Sequence, residues 1–182
     1  MARTALSHCA LDCCYCFYND TSSGSVLVDR QNSQQPEQVY QQLRQSGASL
    51  QFIPLVEWDA CGMLTAESVE PQAWGTFLTA IFDIWVREDI GRVSIRLFDV
   101  MLDLWCGHSH SAEKPTPGEA CRNCSVFRFC RGDCPKHRDD SGKSELCAGY
   151  HAFINHSAPY MRVMRDLIRQ HRSPAELMAM LR

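Results

Sequence analysis

The sequence predicts an α/β fold in three parts: alternating strands and helices, then a cysteine-rich segment, then C-terminal helices. Two observations support this prediction. From residue 26 to residue 98, short β-prone segments alternate with segments whose apolar residues recur at helical spacing, a pattern typical of parallel α/β units. From Cys106 to Cys147 the periodic pattern stops, and cysteine, glycine, proline and charged residues dominate, a composition typical of metal-binding loops.

The first part of the chain is predicted to contain two short strands joined by a helix. Residues 26–28 are a strand candidate, and Pro36 suits the first turn of a helix that stops at Gly47. Residues 50–58 are apolar and β-prone, and Pro54 within them indicates a sheet edge or a bulge.

A longer helix, one further strand and two C-terminal helices are predicted next. Pro71 opens the long helix, Gly91 follows its end, and its apolar stripe consists of Trp74, Phe77, Leu78, Ile81, Phe82 and Trp85. Residues 93–98 are predicted as a strand. After the cysteine-rich segment, a helix is predicted over residues 160–171, and residues 173–176 form a capping box that opens a short last helix.

Composition limits the classes of function. With 182 residues, 45% of them hydrophobic, the chain has room for one or two modest domains with a core. Its 11 cysteines occur in uneven clusters and its N-terminus lacks an apolar export signal, so we predict metal-binding thiols in a reducing cytoplasm, and no disulfide framework. The net charge of −3 offers no basic surface for nucleic acid, and no segment approaches transmembrane length.

The N-terminal cysteines form a C-x3-C-x2-C arrangement. Cys9, Cys13 and Cys16 lie on one short loop, with Tyr15 before the last cysteine. Three thiolates can hold three irons of a [4Fe–4S] cluster and leave the fourth iron open to a ligand that is not protein. A cluster that only carries electrons normally takes four cysteines. The arrangement therefore predicts chemistry at an open iron.

A second group of cysteines follows the pattern Cys121-x2-Cys124-x5-Cys130-x3-Cys134, with Cys147 farther along the chain. The spacing does not fit paired zinc knuckles. In bacterial ferredoxins the cysteine before proline ligates a different cluster from its neighbours, and here Cys134 precedes a proline. We therefore predict one full [4Fe–4S] site on the other four cysteines, with Cys134 left for another cluster. Zinc remains an alternative.

Both cysteine groups resemble those of one known family. Residues 9–18 resemble the radical-SAM signature, which binds S-adenosylmethionine (SAM), and their Cys-Phe-Tyr ending is typical of anaerobic sulfatase-maturating enzymes. Residues 121–147 are similar to the SPASM domain of those enzymes, which binds auxiliary [4Fe–4S] clusters. Shorter sequence segments also resemble those enzymes, namely residues 51–57, 82–86, 134–138 and 146–150.

The resemblance implies a fold, an activity and partners. The expected domains are a shortened radical-SAM (β/α) barrel portion over residues 1–105, a SPASM-like iron–sulfur domain over 106–150 and C-terminal helices over 151–182. The expected activity is oxidation of a sulfatase cysteine or serine to formylglycine through a 5′-deoxyadenosyl radical. A cluster on Cys9, Cys13 and Cys16, next to Tyr15, would bind SAM. The partners would be a sulfatase polypeptide and a ferredoxin or flavodoxin, with no nucleic acid and no membrane.

The sequence also departs from the family pattern. No Gly-Gly pair occurs anywhere, so the Gly-Gly-Glu motif that holds the SAM amino group is missing, and no Cys-Asp pair supplies the proposed general base. The chain is therefore interpreted as internally shortened, and no catalytic residue is assigned. Two alternatives follow: a catalytically inactive shortened homologue, or a zinc-knuckle interaction module.

The remaining metal-ligand types are interpreted as structural. Cys14 is predicted to point away from the N-terminal cluster, and Cys61 is predicted to be an ordinary thiol. His108 and His110 are placed in a polar loop, and residues 136–138 are interpreted as a solvated turn.

Overall fold

Two short parallel strands and a set of helices form the part of the protein that the structure, a computed structural model, describes: residues 24–108 and 118–182. The strands are β1 (Gly24–Val28) and β2 (Leu50–Pro54). The α-helices are α1 (Pro36–Leu43), α2 (Pro71–Glu88), α3 (Arg96–Cys106), α4 (Phe127–Cys130), α5 (Cys147–Arg169) and α6 (Glu176–Met180). Single turns of 3-10 helix lie at Asn32–Gln34, Glu119–Cys121 and Pro135–His137.

The sheet is small and open within these residues. β1 pairs with β2 in parallel, from Gly24 opposite Leu50 to Val28 opposite Pro54. All five residues of β2 are buried, which explains their apolar, β-prone sequence. Pro54 is the last residue of β2, a position where its missing N–H costs no ladder hydrogen bond. The two predicted strands and the helix between them are confirmed.

The predicted strand over residues 93–98 is wrong. Only Ile95 pairs with the sheet, through a single parallel bridge to Leu50, and α3 begins at the next residue. Ser94 Oγ donates a hydrogen bond of 2.6 Å to Asp99, which ties the entry of the helix to its first turn. Phe98 and Met101 then lie on one buried helical face. The helical spacing of the apolar residues after Ile95 therefore determines the secondary structure here, and the short β-prone run does not.

α2 occupies the centre of the core. Its predicted apolar stripe is confirmed, because all six of its members are buried. Phe82 makes edge contacts with Phe98 of α3 and Phe153 of α5, with ring centroids 5.2 and 5.9 Å apart. α2 therefore fixes the positions of the two helices that flank the cysteine-rich segment.

α5 is longer than the sequence predicts. The helix begins at Cys147, not at Tyr160, and Pro159 lies inside it. Pro159 is exposed, whereas Phe153, Ile154 and Ser157 are buried on the face that packs against the core. A proline removes one N–H donor from the helix, and burial of this face outweighs that loss. The predicted short last helix is present as α6, and Ser173 Oγ accepts the N–H of Ala175 at 3.2 Å.

α2 and α5 cross at two glycines. A Cβ atom added to Gly75 would lie 2.8 Å from the Cα of Gly149, and one added to Gly149 would lie 2.1 Å from the carbonyl oxygen of Pro71. Both distances are far below van der Waals contact, so the two backbones touch because neither residue has a side chain. This contact fixes the N-terminal turn of α5, where Cys147 lies. No helix within residues 24–108 and 118–182 combines the length and apolar character needed to span a bilayer.

Gly149→Ala is expected to destabilise the protein by about 1–3 kcal/mol, the usual range for an overpacked interior. The loss is expected even though alanine favours the helix by about 1 kcal/mol. The midpoint of urea unfolding, followed by helical circular dichroism, measures it. Ala152→Ser adds one atom to an exposed position of the same helix and should change stability by less than about 0.5 kcal/mol. A Gly149→Ala protein as stable as the parent would contradict the close crossing.

Candidate metal centre

The four cysteines of the predicted cluster site lie on two helices and on the two turns that precede the first of these helices. Cys121 ends a 3-10 turn, Cys124 lies in the turn that follows, Cys130 ends α4 and Cys147 begins α5. The N–H of Cys124 bonds to the Cys121 carbonyl at 3.3 Å, and the N–H of Cys130 bonds to the Val126 carbonyl at 3.2 Å. These local bonds give the C-x2-C and C-x5-C spacings a fixed backbone shape.

The thiols of Cys121 and Cys124 lie within electrostatic range of those of Cys130 and Cys147. Burial, together with the nearby thiols of Cys124 and Cys121, raises the pKa of Cys130 to about 11, although the N–H of Gly132 acts in the opposite direction. Burial also raises the pKa of Cys147; Lys143 opposes this, while Cys124 and Cys121 add to it. Only Cys121 is fully buried, and the other three are half-buried. Ionising this group requires a positive charge close by, which a metal centre supplies.

Four cysteines are a donor set used both by zinc ions and by [4Fe–4S] clusters. Across residues 24–108 and 118–182, no three His, Cys, Asp or Glu side chains are arranged to hold one ion. A zinc site draws all its sulfur ligands to about 2.3 Å from one ion. A cubane cluster binds each thiolate through a separate iron, so it accepts sulfur atoms that lie farther apart. The donor set, four cysteines, is that of a [4Fe–4S] cluster with no open iron.

His151 belongs to this site, and the sequence interpretation did not include it. Its Nε2 lies 3.2 Å from the Sγ of Cys124. Cys147 and His151 are four residues apart on α5, so they lie on the same face of the helix. The Cys147-x3-His151 spacing was the signal that could have identified it.

A buried carboxylate supports the loop between α4 and α5. Asp133 accepts hydrogen bonds from Ser144 Oγ at 2.8 Å and from the Tyr150 hydroxyl at 3.2 Å, and it pairs with His137 Nδ1 at 2.9 Å. Its own N–H bonds to the Cys130 carbonyl at 2.8 Å. Asp133 therefore joins the loop after α4 to the first turn of α5, and it fixes Cys130 relative to Cys147.

The electrostatics of Asp133 follow from these contacts. Burial alone would raise its pKa, but the charge and hydrogen bond of His137, with those of the Cys134 N–H and Ser144, lower it below the usual value. Burial and the neighbouring Asp133 raise the pKa of Tyr150 well above 10, so its hydroxyl stays a donor. The interpretation of residues 136–138 as a solvated turn is wrong for His137, which is buried because it balances this carboxylate.

An aromatic contact holds α4 against α3. The rings of Trp105 and Phe129 lie 4.9 Å apart, and the Arg128 guanidinium stacks 4.7 Å from the Phe129 centroid. Arg128 also donates to the carbonyl of Leu104 at 2.6 Å. These contacts position Cys130, the neighbour of Phe129.

The other predicted residues are placed as follows. Cys134 is half-buried at the start of the 3-10 turn Pro135–His137, and its role as a ligand stays a prediction. Cys106, at the end of α3, is half-buried; burial and Asp103 raise its pKa, while Arg169 and Arg165 oppose this shift. Cys61 is exposed, and His108 is an exposed side chain 3.6 Å from Asp103.

The N-terminal cysteine group lies outside the described residues. This applies to the predicted SAM-binding residues Cys9, Cys13, Tyr15 and Cys16, and also to Cys14 and His110. Their roles stay predictions.

Asp133→Asn is expected to lower the free energy of unfolding by about 3–5 kcal/mol, because it removes the carboxylate from the buried Asp133–His137 pair. Folding lowers the pKa of Asp133, so its carboxylate contributes stability above the unfolded-state pKa of about 3.9 and loses that contribution as the pH falls through the folded-state value. The stability difference between the parent and the variant should therefore shrink below about pH 4.

Urea unfolding at a series of pH values measures this difference. The matched control is Asp140→Asn, at an exposed position of the same loop, with an expected change of less than about 0.5 kcal/mol. Equal effects of the two substitutions, or a difference between parent and Asp133→Asn that does not depend on pH, would contradict the role given to Asp133.

The chain is similar to known proteins both in sequence and in fold. No protein-family model matches the chain. "Uncharacterized protein YidF" of Escherichia coli (strain K12) is 49% identical over 158 residues, which cover 86% of this chain and 91% of the relative. A "Serine-type anaerobic sulfatase-maturating enzyme" of Bacteroides thetaiotaomicron is 28% identical over 182 residues, 66% of this chain and 44% of the enzyme. The chain thus spans less than half of that enzyme.

Solved structures share the fold. The structure of "Native anSMEcpe with bound AdoMet" matches with a TM-score of 0.62 and 21% identity, over 79% of this chain and 57% of that one. The structure of "Native anSMEcpe with bound AdoMet and Cp18Cys peptide" matches with a TM-score of 0.63 and 21% identity, also over 79% and 57% of the two chains. The chain therefore belongs to the family of YidF, and it is similar in sequence and fold to part of the anaerobic sulfatase-maturating enzymes.

Proposed function

We propose that the chain is an iron–sulfur protein that holds a [4Fe–4S] cluster on Cys121, Cys124, Cys130 and Cys147. The observation that carries the proposal is the grouping of four half-buried or buried thiols, in which Cys121 and Cys124 lie within electrostatic range of Cys130 and Cys147. A cluster with four cysteine ligands supplies one-electron transfer. This corresponds to the auxiliary cluster that the family resemblance implies for residues 121–147.

The chain's own residues prepare this site in two ways. The buried side chains of Val126 and Leu146 flank it and limit the access of water. Asp133 fixes the loop between two of the ligands, and it carries its own counter-charge in His137. Because that carboxylate is already paired, it competes little with the thiolates for the positive charge of the cluster irons.

Maturase activity is the second candidate, and the comparisons favour it only at the level of the family. In that function a cluster on Cys9, Cys13 and Cys16 would bind SAM, a sulfatase peptide would be the substrate and a ferredoxin or flavodoxin would donate electrons. The Bacteroides thetaiotaomicron relative is named a serine-type anaerobic sulfatase-maturating enzyme. One of the similar solved structures contains bound AdoMet and a Cp18Cys peptide. The missing Gly-Gly-Glu and Cys-Asp motifs favour a cluster-binding homologue that does not cleave SAM.

Anaerobic reconstitution should give a brown protein, and the described site should contribute about four irons. To separate the two cysteine groups, Cys9, Cys13 and Cys16 are all replaced by alanine; this variant should keep about four irons per chain. Adding Cys147→Ala should reduce iron binding and bleach the visible absorption, whereas adding Cys61→Ala, at an exposed thiol, should not. A colourless protein that carries zinc would contradict the cluster and favour the zinc-knuckle module.

The reconstituted full chain, given SAM and a strong reductant, is expected to form no 5′-deoxyadenosine above background. The physical reason is that homolytic cleavage depends on precise placement of SAM, and the motif that holds its amino group is absent. Liquid chromatography with mass spectrometry measures the product. Product that forms in the parent and disappears in Cys13→Ala would overturn this expectation and establish SAM cleavage as the activity.

A further inference from the structure

His151 is the one histidine in residues 24–108 and 118–182 that contacts a thiol of the cysteine site. It is half-buried in the second turn of α5, one turn after Cys147. Its Nε2 lies 3.2 Å from the Sγ of Cys124, within the range of an N–H to sulfur hydrogen bond. The contact joins α5 to the C-x2-C turn, so it bridges two of the elements that supply ligands.

The direction of this hydrogen bond follows from the chemistry of the ligand. A cysteine bound to iron is a thiolate and has no proton to donate. In the bound state, therefore, the imidazole must donate from Nε2 and the sulfur must accept. The position is half-buried, so solvent competes only partly for this bond.

We propose that His151 is a positioning residue that donates a hydrogen bond to the Cys124 thiolate and thereby raises the reduction potential of the cluster. The proposal rests on the cluster-binding function proposed above. A donor to a ligating sulfur withdraws electron density from it and stabilises the reduced, more negative cluster. The same bond holds the Cys124 side chain in the orientation required for ligation. The Gly132 N–H serves Cys130 in a similar way.

The test compares three substitutions on a full chain that carries only the described site. In that parent chain, Cys9, Cys13 and Cys16 are replaced by alanine. His151→Leu removes the donor, and His151→Gln replaces it with an amide donor. His156→Leu is the matched control, because His156 is also a half-buried histidine of α5 but contacts Asp83 at 2.7 Å, away from the cysteines. The measurements are iron content and the midpoint potential, from a redox titration followed by electron paramagnetic resonance.

In His151→Leu we expect full iron content with a midpoint potential shifted to a more negative value. His151→Gln should restore at least part of the shift, and His156→Leu should leave the potential unchanged. Loss of iron in His151→Leu that His151→Gln restores would also support the proposal.

Two outcomes would overturn the role of His151 alone. In the first, the parent chain binds its cluster, and His151→Leu has the same midpoint potential as the parent. In the second, His156→Leu shifts the midpoint potential as much as His151→Leu does. Loss of iron in both His151 variants would likewise overturn the donor role, because it would indicate a packing requirement. A parent chain that binds no iron would instead overturn the cluster site, and with it the proposal that depends on it.

Discussion

The close crossing of α2 and α5 at Gly75 and Gly149 is the constraint on which the rest of the structure depends. Because the two backbones touch, Tyr150 is brought against the indole of Trp74, with ring centroids 6.1 Å apart, and its hydroxyl is directed at Asp133. Cys147 lies two residues before the crossing, so its place is set by helix packing. The cysteine site is therefore an extension of the hydrophobic core, even though it lies in a segment with no periodic pattern.

The site contains a buried carboxylate and a group of thiols, and the surrounding residues compensate their negative charges to different extents. Asp133 is buried, but His137 and three donors compensate it, so it needs no metal. Compensation of the neighbouring thiols is weaker, because burial still raises the pKa of Cys130 and Cys147. Replacing a thiol proton with a metal bond relieves that cost. The polar network around Asp133 is thus complete without metal, so the loop between Cys130 and Cys147 can take its shape before the proposed cluster binds.

The sequence predicted those features that depend on local spacing. The α2 stripe and the strands around α1 both follow from patterns that repeat over a few residues. The predictions failed where tertiary contacts determine the secondary structure. Residues 93–98 are a short apolar run with no period long enough to separate strand from helix. Pro159 led to a predicted helix that begins only after it, whereas α5 begins at Cys147. Asp133 was missed because its partners lie 4, 11 and 17 residues away, and no local pattern encodes that convergence.

The cysteine group around Cys121 is supported by elements within residues 24–108 and 118–182. Its ligands lie within residues 121–147, and its supports come from α2, α3 and α5, which the chain retains. SAM binding in the family requires a Gly-Gly-Glu strand that this sequence lacks. The missing motif therefore bears on the predicted SAM site, whereas the proposed cluster site keeps its four predicted cysteine ligands, its buried network and its helix crossing. Cluster binding and SAM cleavage thus draw on different residues of the sequence, so the proposed cluster site does not require the SAM-binding motif.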